Sequence, residues 1–376
     1  MVDYENIGRC CEKGHSYGVY AFRVLSVWRE YNSSNVDIIL LIKEEMEAWA
    51  KKEFPEWKYI LLKQYSYRNS LQKIFRIRWL LNGLLWRKAV NTSGCNVLFS
   101  PGSLLTSCWK VKICRVQVIH DIQGFRTLKG LRKWVYTLFT PLILKVSDKI
   151  IAITDYVKQD ILKTYHFVSS DKVIVIRNGI VLPPLSLSVS LKINYKYLLY
   201  VSALCEYKNL VTLVKAFIEL KDMISHRLVI VGKSTPYWEN VVLPMIKKAG
   251  IESRVIHYSN YVSDEDIVCL YQSASILVSP SLHEGFGYTP IEAAICETPV
   301  ICTRETALPE TTMGLVNYYE PALDFTALKN KIMEVLENYP TKEHLKNISD
   351  VFKVQYDNVQ QAKIIYDCVM ECGKHT

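Results

Sequence analysis

The chain has 376 residues, 49 % of them hydrophobic and 22 % charged, with a mean hydropathy of +0.06. That length suits two domains, and the composition excludes a disordered, collagenous or low-complexity chain. The formal charge of +9 is unevenly placed: 28 Lys and Arg stand against 15 Asp and Glu up to Pro183, and 18 stand against 22 beyond it.

The first strand, Val2-Asp-Tyr, is clipped short before the loop Gly14 to Gly18, as though the chain began inside a longer gene product. No signal-peptide core follows the first Met. Further strands are expected at Val36 to Ile42, Tyr59 to Leu62, Val97 to Phe99, Val116 to His120, Lys149 to Ile153 and Val173 to Ile176. Between Glu56 and Asp121 lie eleven Lys and Arg and no acid. Within that stretch, Leu71 to Lys88 reads as a basic amphipathic helix. Its Trp79, Leu80, Leu84, Leu85 and Trp86 form one apolar face, with Lys73, Arg76, Arg78 and Arg87 around it. Such a helix suits an anionic surface, and a solvated basic face on a packed helix is the alternative. Nucleic acid is not the expected anion, since no helix-turn-helix, zinc-finger or RNA-recognition pattern accompanies the charge. The apolar run Trp134 to Leu144 is too short to cross a membrane, which takes roughly 20 residues.

A Pro/Ser-rich linker at Leu182 to Ser190 precedes a second alternating series. Strands are expected at Tyr197 to Ser202, Arg227 to Gly232, Val255 to Tyr258, Ser275 to Ser279 and Val300 to Cys302. Asn209 is expected to cap one helix and Ser263 another, while Gly250 stops the helix that begins near Trp238. Uninterrupted apolar strands between amphipathic helices indicate parallel sheets covered on both faces. Two such α/β domains would face each other across a ligand cleft. The eleven cysteines contain no CxxC and no zinc spacing, and read as reduced thiols of a cytoplasmic protein.

The segment richest in chemistry is Ser279 to Ile301. A strand ends, a loop with Gly285 and Gly287 follows, and a helix begins near Thr289 with Pro290 in its first turn. The glycines let backbone amides approach a ligand, and a helix start favours a phosphate. Glu284 and Glu292 flank that helix start, so a ligand with a diphosphate and hydroxyls at both ends fits, as in a nucleotide sugar.

Glu284 to Ile301 resembles the glutamate-x7-glutamate segment of retaining glycosyltransferases of family 4, the group 1 glycosyl transferases of GT-B fold. The likeness continues through Leu308-Pro-Glu310 and Tyr319 to Asp324. Upstream it takes in Val201 to Leu210 with Lys208, Leu228 to Gly232, His120-Asp121, Ile153 to Val157 and Ile176 to Gly179. The resemblance implies that Glu284 holds the donor sugar's hydroxyls, and that the amides of Gly285, Phe286 and Gly287, with Thr289, meet its ring and phosphates. Glu292 is implied to bind the ribose, Lys208 to neutralise the diphosphate, and His120 to face the sugar. Gly18, placed before the first helix, is matched to the loop that approaches the diphosphate. Many relatives carry Arg where this chain has Ala203 or Tyr207, leaving Arg177 and Arg304 as candidate substitutes. A glycine after the helix is replaced by Glu297.

The reading is therefore a metal-independent, retaining hexosyltransferase needing no cofactor. It moves a sugar from a nucleotide-diphosphate donor to a lipid-linked glycan of surface polysaccharide, on the inner face of a membrane. The alternative is a non-catalytic nucleotide-sugar-binding subunit of such an assembly. Residues 1–182 are expected to bind the acceptor and 183–355 the donor, with 356–376 a helix returning to the first domain.

Overall fold

Apolar strands have two faces to cover, and here the intervening helices cover them. The computed structural model describes residues 1–3, 16–31, 36–63, 77–102, 108–183 and 193–374; for residues 16, 17 and 77–80 it describes the backbone alone. The chain divides into two compact units, Met1–Gly179 with Asn358–Thr376, and Ile180–Asp357.

The first unit holds β1 (Val2–Asp3), β2 (Ile39–Lys43), β3 (Lys58–Leu62), β4 (Val97–Ser100), β5 (Cys114–Ile119), β6 (Lys149–Ala152) and β7 (Val173–Val175). All pair in parallel, in the order β3-β2-β1-β4-β5-β6-β7. Its helices are α1 (Ser16–Tyr31), α2 (Glu47–Glu53), α3 (Ile77–Asn91), α4 (Gly124–Thr127), α5 (Gly130–Val146) and α6 (Asp155–Thr164). The basic segment expected to be one amphipathic helix is thus described from Ile77 onward; Lys73 and Arg76 lie outside the described residues, as do the side chains of Arg78, Trp79 and Leu80. Trp86 does not share an exposed face with Leu84. It is fully buried among Leu41, Leu62, Val90 and Leu98, and the guanidinium of Arg115 lies over its ring at 5.6 Å, whereas Leu84 and Arg87 are exposed. Helix positions two apart point to different sides, so the five apolar residues could not form one stripe.

The second unit comprises β8 (Tyr197–Val201), α7 (Leu210–Leu220), β9 (Arg227–Val231), α8 (Leu243–Lys248), β10 (Val255–Tyr258), α9 (Asp264–Ser273), β11 (Ile276–Ser279), α10 (Tyr288–Ile295), β12 (Val300–Thr303), α11 (Leu308–Thr311), β13 (Asn317–Tyr319), α12 (Phe325–Glu337) and α13 (Lys342–Gln355). Its six parallel strands run β10-β9-β8-β11-β12-β13. On α7, Leu210, Leu213, Val214, Phe217 and Leu220 recur at helical spacing and are all buried against this sheet. The edge strand β13 is an addition to the expected set.

The last helix, α14 (Asn358–Lys374), belongs to the first unit. The buried indole N–H of Trp28 on α1 donates to the carbonyl of Ala362 at 2.7 Å, and the amide of Gly179 donates to the Gln361 side chain at 2.7 Å. Cys372 is bonded to Cys114 of β5, a residue 258 positions away, so the expectation of reduced thiols throughout does not hold for this pair.

Two caps behave differently from one another. Ser263 accepts the amide of Asp266, as its pattern predicts. Asn209 does not cap α7; it sits in the left-handed region at φ 56° and spends its side chain elsewhere. At the end of α10, Glu297 takes up φ 61°, with Thr298 N–H donating to Ala293 and Glu297 N–H to Ala294. This is a Schellman turn whose left-handed position suits glycine, and a carboxylate there also opposes the negative end of the helix. Glu297→Gly is expected to stabilise the second unit by about 1 kcal/mol, raising its Tm by about 2–4 °C in thermal unfolding. Glu297→Ala, which keeps the Cβ, should not reproduce the gain.

Candidate active site

In the second unit, crossovers run one way from β8 and the other way from β11, opening a crevice at the carboxyl ends of these neighbouring strands. The loops after both strands meet there. Lys208 Nζ lies 2.6 Å from Glu284 Oε1, and the two side chains are 13 % and 15 % exposed. Each partner is held by its own backbone. Asn209, beside Lys208, donates to the carbonyls of Pro280 at 3.0 Å and Ala322 at 2.9 Å, and accepts from the Thr212 hydroxyl. The amide of Leu282 donates to the Tyr207 carbonyl at 2.8 Å, tying the two loops together. The amide of Glu284 donates to Thr306 Oγ1 at 2.9 Å, from the loop after β12. Thr306 is a β-branched residue held at φ 54°, a conformation such residues rarely adopt.

The turn into α10 completes the site. Gly285, Phe286 and Gly287 are buried. Gly287 has φ +86°, and a Cβ on it would lie 2.6 Å from Leu308, so no other residue fits there without a shift. The Phe286 carbonyl accepts the Thr311 hydroxyl at 2.7 Å, and its ring meets Tyr356 edge-on. Thr289, in the first turn, donates to the carbonyl of Val201 at the end of β8 at 3.2 Å. One turn further, Glu292 accepts the hydroxyl of Tyr271 on α9 at 3.0 Å. Burial and the Glu292 carboxylate push that phenol well above its ordinary pKa, so it stays a donor. Tyr271 and Thr306 orient the two glutamates, and sequence reading missed both. Each meets its glutamate only through tertiary packing, and no spacing signals it.

Where relatives carry Arg, the ring of Tyr207 lies 5.3 Å from the Lys208 ammonium, and Ala203 is exposed. The two candidate substitutes are engaged elsewhere: Arg304 lies over the Tyr318 ring at 4.3 Å and 3.6 Å from Glu320, and Arg177 pairs with Asp155 in the first unit at 2.7 Å. One Asp-x-Asp spacing occurs in the chain, at Asp264 and Asp266; it forms the first turn of α9. Among the described residues, no group of three His, Cys, Asp or Glu is placed to hold a metal ion.

In the first unit, Gly18 is not in a loop before the first helix but within the first turn of α1, where it is buried. His120 follows β5. Its Nε2 donates to the Pro101 carbonyl at 2.9 Å, and its ring meets Tyr20 edge-on with centroids 4.7 Å apart. Burial pushes its pKa down to about 4, against the pull of the Pro101 hydrogen bond, so the imidazole is neutral at pH 7.

The model of the family described as glycosyl transferases group 1 matches residues 188–350. The O-antigen chain mannosyltransferase RfbU of Salmonella typhimurium is 28 % identical over 325 residues, covering 84 % of this chain and 86 % of that one. Residues 188–350 therefore belong to the group 1 glycosyl transferases. The O-antigen chain mannosyltransferase B of Escherichia coli is 32 % identical over 149 residues, which span 39 % of this chain and 38 % of the relative's length. The structure of sucrose-phosphate synthase from Thermosynechococcus elongatus matches with a TM-score of 0.77 at 17 % identity, covering 96 % of this chain and 94 % of that one. At that identity the likeness is one of fold.

The His120 shift has a consequence for pH. Above about 6.5 neither the folded nor the unfolded chain carries its proton. As pH falls from there toward 4, the unfolded chain binds a proton that the folded unit refuses, so this residue lowers stability across that interval. His120→Asn should flatten the fall in Tm between pH 7 and pH 5 of the first unit. An unchanged slope would mean that the imidazole is protonated in place.

Proposed function

We propose that this glycosyltransferase moves a hexose from a nucleotide-diphosphate donor to a hydroxyl of a lipid-linked glycan in surface-polysaccharide assembly, with retention at the anomeric carbon. The observation that carries the reading is the close Lys208–Glu284 pair set before the α10 amino terminus. The pair neutralises itself within the chain. A donor draws Lys208 to its diphosphate and Glu284 to its sugar hydroxyls, so each charge exchanges one partner for another. Glu292, held by Tyr271, takes the ribose hydroxyls.

Transfer breaks the bond between the anomeric carbon and a phosphate oxygen and forms one to the acceptor oxygen. The acceptor's proton passes to the departing diphosphate on the same face of the sugar, through an oxocarbenium-like state. Charge grows on the leaving group, and stabilisation there lowers the barrier. Lys208, the amides of Gly285 to Gly287 and the positive end of α10 all lie on that side. His120, neutral, offers a hydrogen bond rather than a charge. The curated relatives are named as mannosyltransferases of O-antigen chains, which favours turnover over a non-catalytic subunit and makes mannose the first sugar to test.

We assign the acceptor to the first unit, with α3 and its exposed Arg87 beside an anionic membrane surface on the cytoplasmic face. No helix among the described residues is long and apolar enough to cross a membrane.

Thermal-shift measurement against guanosine and uridine diphosphate sugars should show stabilisation by one base. Glu292→Ala is expected to weaken that donor about 10-fold or more, the size of a lost hydrogen bond to a charged group. Glu284→Gln should leave affinity within a few-fold and lower kcat about 100-fold or more. Wild-type kinetics in both variants would remove the assignment.

A second outcome concerns metals. With Lys208 and the helix terminus carrying the leaving-group charge, transfer should persist in EDTA. Loss of activity that magnesium or manganese restores would exclude this account.

A further inference from the structure

Helix α5 is apolar on the side that faces away from its own unit. At about 100° per residue, Leu131, Trp134, Leu138 and Leu142 fall within one narrow sector of the helix. That sector lies opposite the one occupied by the buried Thr140, Ile143 and Leu144. All four stripe residues are exposed, Trp134 at 62 % and Leu131 at 60 % the most. An amphipathic surface helix shows the reverse pattern, with polar residues outward. A contiguous exposed apolar stripe marks a contact surface.

What covers it follows from the charge. Arg132 is exposed on the flank of the stripe and Lys145 in its sector at the carboxyl end, Lys133 is exposed in the first turn, and no acid occurs between Asp121 and Asp148. A second copy seated on this face would bring like charges together. An anionic bilayer accepts the leucines and the indole at its interface and the basic groups at its headgroups. We infer that α5 is the surface through which this chain lies on an anionic lipid bilayer, with Trp134 at the interface. The inference deepens the proposed lipid-linked acceptor and rests on that reading for its purpose, though the contact itself stands on α5 alone. It also moves the apolar part of the contact away from α3, whose Trp86 is buried in the core.

The position suits an acceptor site. Strand β5 and α5 run in opposite senses, so the α5 amino terminus, with Leu131 to Trp134, lies toward the end of the sheet where His120 sits. The Tyr136 hydroxyl fixes that end by donating to the Asp121 carbonyl at 3.1 Å.

The test is sedimentation of the full chain with vesicles of phosphatidylcholine, with and without phosphatidylglycerol. Binding is expected only to the anionic vesicles, falling as salt rises, with Trp134 emission quenched by brominated lipid. Substituting Trp134 and Leu138 together by Ser should reduce partitioning about 10-fold or more. Arg132→Gln and Lys145→Gln should each reduce it about fivefold. Four outcomes would each overturn the assignment. These are equal binding to neutral vesicles, unaltered binding of the Trp134/Leu138 variant, a lipid-free dimer that this variant dissolves, or loss of binding through Arg78→Gln and Arg87→Gln alone. Donor-induced stabilisation is measured without lipid and should stay at the wild-type level in the α5 variants. Its absence in the wild type would count against the donor reading and leave the lipid contact standing.

Discussion

A lysine and a glutamate 76 residues apart in the chain approach to 2.6 Å where the second sheet reverses its order, and much of the surrounding structure exists to hold them there. Both side chains are largely withdrawn from water, so their attraction is screened less than that of a surface pair, and removal of either would strand a charge. Such a pair forms only if its loops are placed before the charges meet. Asn209 fastens the Lys208 loop to the carbonyls of Pro280 and Ala322, Thr306 accepts the Glu284 amide, and Thr289 joins α10 to the end of β8. The left-handed conformations of Asn209, Gly287 and Thr306 cluster around the pair, and backbone strain concentrates at sites that surrounding contacts over-determine.

The first unit uses buried charge differently. Arg115 is fully enclosed, donates to Gln117 at 2.8 Å, and lies over Trp86; burial pulls its pKa down to about 10 while Asp3 pulls it back up. This network anchors the middle of the sheet. His120, one step beyond β5, is kept uncharged by the same dryness. The second unit thus presents a close ion pair at its crevice, and the first a neutral ring after β5.

The strands were legible because a parallel sheet buried on both faces demands uninterrupted apolar runs, and β2, β8, β9 and β11 supply them. Strand β13 escaped because an edge strand reading Asn317-Tyr-Tyr has no such run. Lys208, Glu284 and Glu292 could be found from local order along the chain, as could the turn strained by Glu297. Partners that meet only after folding were invisible: Tyr271 with Glu292, Thr306 with Glu284, Cys114 with Cys372. Asn209 misled because its residue type suits a cap, yet two tertiary hydrogen bonds and one from the Thr212 hydroxyl claim its side chain. On α3, counting apolar residues hid the rotation between Leu84 and Trp86. On α5, the run from Trp134 to Leu144 shows its length in the sequence, while the direction in which it faces is set only by packing.

The return of α14 to the first unit bears on how the chain is made. A ribosome finishes β7 long before it reaches Asn358, and at roughly 5–20 residues per second the interval lasts roughly 10–40 s. During that time the indole of Trp28 lacks the carbonyl it donates to, and Cys114 has no sulfur to join. The second unit, encoded later but continuous in sequence, is complete first. Nascent chains that have just released residue 357 would therefore carry a second unit with all of its residues beside a first unit still lacking its last helix, which is the state a chaperone would meet.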